Sequence, residues 1–217
     1  MILLFAGLIL SVTAVKAQPN AGLKGGVNYT SLSGYKGDRR LSFHAGFFVE
    51  IPLNKKWTVQ PELLYSGEGQ HYIVGEGEEG TQGEEKTITL GYVSLPVMLR
   101  VLLNSKFYLE AGPQFAVLAG AHSKGFGIDG LNVKRSFKNS QLGLNMGTGI
   151  SLSQQIGLYG RYCFGMTDIT PYDNNLDRSQ AAQLGITIRL SKQKPAVKQD
   201  KKIKPVNEYG KKERFHA

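Results

Sequence analysis

Seven charged residues are the strongest candidates for chemistry in this sequence, because each interrupts a segment made otherwise of apolar and small residues. Four are cations and three are carboxylates: Lys24, Glu50, Glu62, Arg100, Glu110, Arg161 and Arg189. Gathered in one enclosed space, with His44 nearby, they could form an ion gate or a proton path. We favour a network of ion pairs that fills the space, because an enclosed charge without a partner is very costly.

Evidence for catalysis or for metal binding is weak. Near the outer rim His71, His122 and Ser123 could meet Asp129 or Asp173, but no spacing marks a catalytic triad. The single cysteine, Cys163, excludes an internal disulfide and any multi-cysteine metal cluster. We therefore predict no enzyme activity, no catalytic residue, no metal site and no cofactor.

The charged residues are positioned by segments in which apolar residues recur at every second position. Between residues 57 and 66, for example, Trp57, Val59, Leu63 and Tyr65 fall on one face. Such alternation is typical of β-strands with one apolar and one polar face. Eight segments follow it: 22–31, 41–52, 57–66, 88–102, 107–117, 141–152, 156–166 and 181–191.

A short turn recurs three times between these segments, at a spacing of about 50 residues that indicates one repeated unit. Its copies are Leu53-Asn54-Lys55-Lys56, Leu103-Asn104-Ser105-Lys106 and Leu152-Ser153-Gln154-Gln155. The other connections are long and polar: 32–40, 67–86, 119–138 and 168–178. Short turns that alternate with long loops are characteristic of transmembrane barrels, whose termini lie on the periplasmic, short-turn side.

The composition of the two strand faces decides between a membrane barrel and a soluble one. One face carries Leu, Val, Ile and aromatic residues; the other carries glycine, small polar residues and the isolated charges, with Phe48, Leu64 and Met98 as exceptions. Eight strands leave an interior that side chains just fill, which suits the small and charged face. We therefore predict an all-β fold, an eight-stranded antiparallel up-and-down transmembrane β-barrel.

Three prolines lie inside the predicted strands. Pro61, Pro96 and Pro113 each remove a backbone donor, and a closed barrel has no free edge at which such a loss is harmless. We expect a β-bulge at each of them.

The two ends of the chain differ from the barrel in composition. Residues 1–17 carry an apolar run and a small-x-small motif at Val15-Lys16-Ala17, which predicts a cleaved export signal. Residues 192–217 hold nine Lys or Arg and three acids, so they supply +6 of the net charge of +9. We expect a disordered periplasmic tail there, a barrel over 18–191, and no role in nucleic-acid binding.

Several short motifs resemble those of the PorT-type small outer-membrane barrels. They are Gly22-Leu23-Lys24-Gly25-Gly26-Val27-Asn28-Tyr29, Phe48-Val49-Glu50-Ile51-Pro52-Leu53, Gln60-Pro61-Glu62-Leu63-Leu64-Tyr65, Tyr92-Val93-Ser94-Leu95-Pro96 and Tyr108-Leu109-Glu110-Ala111-Gly112-Pro113-Gln114. The resemblance covers about residues 20–191. It implies an eight-stranded outer-membrane barrel, and only some members of that family resemble a component of a protein-secretion system. The basic tail departs from the usual ending near the last strand.

These observations predict an integral outer-membrane protein with a structural or interaction role. The alternatives are a component of a protein-secretion or surface-assembly machine, a small-solute pore, and a soluble exported barrel that binds an apolar ligand. The expected partners are outer-membrane lipid and either lipopolysaccharide or a periplasmic or secretion protein. The acidic segment 67–86 and the basic segment 119–138 could pair over the barrel mouth, or bind lipopolysaccharide or cations. We favour solvated loops without fixed structure.

Overall fold

The computed structural model describes residues 19–33, 38–74, 84–125, 128–132, 134, 137–168 and 178–190, and the predicted signal peptide and basic tail lie outside them. The described chain forms nine strands: β1 (Asn20–Leu32), β2 (Arg40–Pro52), β3 (Trp57–Val74), β4 (Glu84–Leu102), β5 (Phe107–Gly125), β6 (Ile128–Asn132), β7 (Ser140–Ser151), β8 (Ile156–Gly165) and β9 (Ser179–Arg189). No helix in these ranges is long and apolar enough to cross a membrane.

Eight of the strands close into one antiparallel ring. Each strand pairs with its neighbour in the order β4-β3-β2-β1-β9-β8-β7-β5, and the pairing of β4 with β5 completes the circle. The first and last strands join along eleven pairs, from Gly22↔Arg189 to Leu32↔Ser179. Strand β6 pairs only with β5, beyond the ring. The predicted eight-stranded antiparallel barrel is confirmed.

The three short turns share one hydrogen-bonding pattern, which explains why their sequences repeat. The Asn54 Oδ1 atom accepts from the backbone nitrogens of Lys56 and Trp57, at 2.8 and 2.9 Å. Asn104 Oδ1 makes the same pair of bonds in the second turn, and the Ser153 hydroxyl makes them in the third. Asn and Ser side chains commonly cap tight turns in this way. All three turns lie at one end of the barrel, which is the predicted periplasmic end.

The two faces of the strands have opposite surroundings, as alternation requires. On β5, Leu109 is 46% exposed on the outside whereas Glu110 is 3% exposed in the lumen. The apolar exceptions Phe48, Leu64 and Met98 are buried in the lumen too. An outer surface of exposed Leu, Val, Ile and Phe fits lipid, while the polar face is enclosed.

The prolines do not produce the expected bulges. Pro61 pairs with Val97 on β4 and lacks a pair on β2, yet the register of β2 with β3 is the same on both sides of the gap. Pro96 and Pro113 behave alike, each keeping its pairing with one neighbouring strand. A proline loses only one donor, toward one side, so the barrel accommodates it by omitting a ladder bond rather than by inserting a residue.

A register shift lies elsewhere, between β4 and β5. Gly91 pairs with Gly120 and Tyr92 with Leu118, so Ala119 has no partner on β4. As a consequence Leu118 and Ala121, three positions apart, are both buried in the lumen. The bulge therefore reverses the alternation near the outer end of β5.

Two of the predicted long loops are also wrong in extent. Residues 67–74 and 84–86 continue β3 and β4, and residues 119–125 continue β5, with β6 following at 128–132. The segment 32–40 is also shorter than predicted, because Leu32 belongs to β1 and Arg40 to β2. Within the segment 168–178, residues 169–177 lie outside the described residues. Strands that extend beyond the lipid have no apolar outer face, so the alternation that reveals a strand is lost there.

Replacement of a lipid-facing leucine by arginine tests the assignment of faces. We expect Leu109→Arg or Leu63→Arg to destabilise the folded barrel by about 2–4 kcal/mol, because a charge near the bilayer midplane is poorly solvated. Gln114→Arg is the matched control, since Gln114 points into the polar lumen beside Asn145. The free energy of unfolding would be measured by urea titration in lipid vesicles. Equal losses for the two faces would contradict the assignment.

Candidate functional site

The seven predicted site residues converge in the lumen at its periplasmic half. They lie on seven different strands, each at an inward position: Lys24 on β1, Glu50 on β2, Glu62 on β3, Arg100 on β4, Glu110 on β5, Arg161 on β8 and Arg189 on β9. Six are at most 5% exposed, and the Arg189 side chain is 11% exposed. Their strands are distant in sequence, so only closure of the ring brings them together.

Arg161 is the centre of the network. Its Nη1 and Nη2 atoms donate to the two Glu62 carboxylate oxygens at 2.9 and 2.7 Å, a bidentate pair. Its Nε atom donates to Glu110 Oε1 at 2.9 Å. Lys24 Nζ also donates to Glu62 Oε1, at 3.0 Å. Bidentate, charge-assisted bonds are the strongest class of hydrogen bond in proteins and fix geometry as well as charge.

A second group of ion pairs lies nearer the periplasmic rim. Arg100 bridges two carboxylates, with Nε donating to Glu110 Oε2 and Nη1 to Glu50 Oε1, both at 2.9 Å. Arg189 Nε donates to Glu50 Oε2 at 2.9 Å. Glu110 joins the two groups, because it accepts from Arg161 and from Arg100. All seven charges therefore belong to one connected network across the lumen.

Aromatic rings fill the space around the charges. Lys24 Nζ lies 3.9 Å from the centre of the Tyr159 ring, and the Arg100 guanidinium lies 4.3 Å from that of Tyr108. Room for these rings comes from inward-facing glycines on the adjacent strands: a Cβ at Gly149 would collide with Tyr108, and one at Gly185 would lie 2.7 Å from the Tyr159 hydroxyl. The glycines of the polar face thus leave room for the tyrosine rings of the neighbouring strands.

His44 connects the charge network to the polar lumen above it. Its Nδ1 donates to Asn28 Oδ1 at 2.5 Å, which leaves Nε2 to accept from the Tyr159 hydroxyl. Asn28 Nδ2 donates in turn to Ser66 Oγ and to the Gly67 carbonyl, both at 2.9 Å. A chain of hydrogen bonds therefore leads from the aromatic ring beside Lys24 toward the outer half.

An apolar cluster occupies the outer half of the lumen, and sequence analysis missed it. Its members are buried side chains from several strands and one loop: Leu32, Ile88, Leu90, Tyr92, Ala116, Leu118, Ala121 and Phe137. Phe137 follows the ring strand β5 in sequence and is 6% exposed. Alternation of apolar and polar residues did not reveal this cluster, because Leu118 and Ala121 flank the bulge and because several members lie beyond the ends of the predicted strands.

The residues considered for catalysis do not converge in the described part of the chain. His71 pairs with Thr87 and His122 with Thr89, so the two histidines flank β4 on opposite sides. The side-chain placement of Asp129 and the position of Asp173 lie outside the described residues. Across the described ranges, no group of three His, Cys, Asp or Glu side chains is arranged to hold a metal ion.

Comparison with known proteins gives the family. The sequence model of the outer membrane protein beta-barrel domain family matches residues 16–170. The chain belongs to this family. As a member of it, the protein is an outer-membrane β-barrel of a bacterium, in agreement with the closed ring and the apolar outer surface. Among curated proteins, no sequence matches this chain.

Solved structures of bacterial outer-membrane proteins are similar to this family member in fold. Neisserial surface protein A (NspA) is 11% identical, with 79% of this chain and 96% of NspA covered and a TM-score of 0.51. Ail, the attachment invasion locus protein of Yersinia pestis, solved in complex with the heparin analogue sucrose octasulfate, is 13% identical, with 80% and 99% covered and a TM-score of 0.46. At these identities and TM-scores, only the comparison with NspA supports an argument, and that argument concerns the fold alone.

The balance of the network is tested by removing one charge and then its partner. Glu62→Gln leaves Lys24 and Arg161 facing one remaining carboxylate, and we expect a loss of about 3–5 kcal/mol in the free energy of unfolding. The double variant Glu62→Gln with Lys24→Met removes the excess cation and should recover part of that loss. Urea titration in lipid vesicles, followed by heat-modifiable gel migration, measures both. If the double variant is less stable than Glu62→Gln, the loss in Glu62→Gln does not come from an unpaired Lys24, which would contradict the balance of charge in the network.

Proposed function

We propose that the protein is a closed outer-membrane barrel with a structural or interaction role and no catalysis. The supporting observation is that its lumen is crossed by a buried, connected network of ion pairs centred on Arg161. Side chains held in this way would keep the lumen closed to ions and solutes rather than open and close as a gate, because each charge is bound by at least one opposite charge. The resemblance to PorT-type barrels supports the same conclusion about architecture.

The pore alternative is less well supported by the same observations. The network occupies the periplasmic half of the lumen, and the apolar cluster around Tyr92 and Leu90 occupies the outer half. An ion that passed would have to displace charge-assisted bonds at one level and enter an apolar layer at the other. Both steps are unfavourable in a barrel of eight strands, whose interior is filled by side chains.

Interaction would take place at the surfaces outside the sealed lumen. Two arginines lie at the outer ends of the strands, Arg39 before β2 and Arg178 before β9. Two further cations there are bound within the protein: Arg40 Nη1 donates to the Glu68 carbonyl at 3.2 Å, and Lys138 pairs with Asp168 at 2.8 Å. Arg39 lies 5.3 Å from the centre of the Tyr29 ring, which is 49% exposed. Guanidinium groups beside an exposed aromatic ring suit the phosphates and acyl chains of lipopolysaccharide, so we propose this lipid as a partner alongside the other lipids of the outer membrane.

The ends of the chain fit the same proposal. Residues 1–17 would direct export and be removed, and the basic residues 192–217 would remain in the periplasm, where the last strand ends beside the short turns. The positive charge of the tail would bind a periplasmic partner, which could be a component of a secretion or surface-assembly machine.

Planar-bilayer recording tests the closed lumen directly. We expect purified, folded protein to produce no stable channels, because the ion-pair network leaves its charges bound to one another. Folding of the sample would be established independently by heat-modifiable gel migration. Stable open channels from the wild-type barrel would contradict the proposal and favour the small-solute pore.

Deletion of residues 192–217 tests the tail. We expect the truncated chain to fold and insert as the wild type does, because all ring strands end before residue 192. Protease added to intact cells should spare the tail, and protease added after outer-membrane permeabilisation should remove it while the barrel survives. Any tail-dependent contact should weaken as salt is added, since clustered lysines act through screened charge. Cleavage in intact cells would contradict the periplasmic placement.

A further inference from the structure

A second polar cluster lies in the lumen, separate from the charge network. Its acidic member is Glu68 on β3, which is 4% exposed. Glu68 lies six positions after Glu62, which corresponds to roughly 20 Å along a strand. The Ser179 hydroxyl and the Gln141 Nε2 amide donate to its Oε2 atom, the latter at 3.5 Å. Within the described parts of the chain, no cation forms an ion pair with this carboxylate.

The same cluster contains amide oxygens that accept no hydrogen bond. Gln141 Oε1 and Asn145 Oδ1 are buried and without a donor, and their residues are 5% and 0% exposed. Asn145 Nδ2 donates to Gln114 Oε1 at 2.9 Å, which turns the Gln114 oxygen toward the same region. Buried polar atoms in native proteins are almost always satisfied, so several unsatisfied acceptors around one carboxylate require an explanation.

A small cavity lies among the residues that carry these oxygens. Its volume is about 10 Å³, and its lining includes Glu68, Gln114, Gln141, Asn145, Cys163 and Ser179. That volume corresponds to about one water-sized sphere. The lining comes from strands β3, β5, β7, β8 and β9, so whatever occupies the cavity contacts opposite walls of the barrel.

We propose that this cavity binds one alkali-metal cation, Na⁺ or K⁺, stripped of most of its water. Hard cations select carboxylate, amide and hydroxyl oxygens, and those groups line the cavity. One carboxylate balances one positive charge, whereas a divalent ion would leave an uncompensated charge buried in the lumen. The unsatisfied oxygens of Gln141 and Asn145 become ligands, and the isolated charge of Glu68 gains its counter-ion.

The bound cation would act as a cross-link between distant parts of the barrel. Glu68 lies on β3, whereas Gln141 and Asn145 lie on β7 and Ser179 begins β9. These strands are not neighbours of β3 in the ring, and Glu68 is 111 residues from Ser179 in sequence. Cation binding to the folded state alone stabilises that state in proportion to the logarithm of cation concentration.

Thermal unfolding in matched salts tests the proposal. Folded protein in detergent would be heated in NaCl, in KCl and in choline chloride at equal ionic strength, and the folded fraction followed by gel migration. We expect the midpoint to rise by roughly 3–6 °C for each tenfold increase in the alkali cation above its Kd, with no rise in choline. Comparison of the NaCl and KCl series then identifies the preferred ion.

Three variants locate the effect. Glu68→Gln keeps the size and the Ser179 contact but removes the charge, so its midpoint should be the same in all three salts. Gln141→Lys places an ammonium group beside Glu68 and should likewise abolish the response, because the cation is then supplied by the chain. Gln183→Met is the matched control, because it removes a buried amide with an unsatisfied oxygen that does not line the cavity, and it should retain the wild-type response to cations.

Two results would overturn the proposal. If the wild type melts at the same temperature in NaCl, KCl and choline chloride, the cavity holds water beside a protonated Glu68. If CaCl₂ or MgCl₂ stabilises the wild type while the alkali salts do not, the assignment to a monovalent ion is wrong. Sodium-23 line broadening that is present in the wild type and absent in Glu68→Gln would support the site without reference to stability.

Discussion

The charged side chains inside this barrel are buried, so each of them needs an opposite charge within the lumen. The arrangement of the lumen depends on that constraint. The wall is closed and its outer surface is apolar, so an inward carboxylate such as Glu62 takes its opposite charges, Lys24 and Arg161, from other strands of the ring. Arg161 supplies two of its hydrogen bonds to Glu62 and a third to Glu110. A buried guanidinium is tolerable because several of its donors are bound to anions.

The same constraint organises the remaining lumen into levels. Paired charges fill the periplasmic half, hydrogen-bonded amides and His44 lie between, and the apolar cluster around Tyr92 fills the outer half. Bulky residues such as Tyr108 are accommodated opposite glycines such as Gly149, so the wall alternates large and small side chains. Large and small side chains fill a narrow barrel in this way, as the interior of eight strands requires.

The backbone of the barrel departs from regular strand pairing in two ways, at prolines and at one β-bulge. Pro61, Pro96 and Pro113 each interrupt one ladder while the register continues unchanged. The bulge at Ala119 instead shifts the pairing and turns Leu118 and Ala121 to the same side. Omission of a ladder hydrogen bond leaves every side chain on its own face of the strand. Insertion of a residue exchanges the two faces beyond that point, and this exchange places Leu118 and Ala121 together in the apolar cluster.

The sequence by itself determined the number of ring strands, their antiparallel order, the turns and the face on which each charge lies. It did so because alternation with a period of two and the Asn or Ser turn residues are local properties, visible as at Leu109 and Glu110 or at Asn54. Only the tertiary structure decided which charges meet, how far the strands extend, and that Glu68 stands apart from the network among unsatisfied amides. Those outcomes depend on the stagger of strands distant in sequence and on closure of the ring, which no single segment encodes.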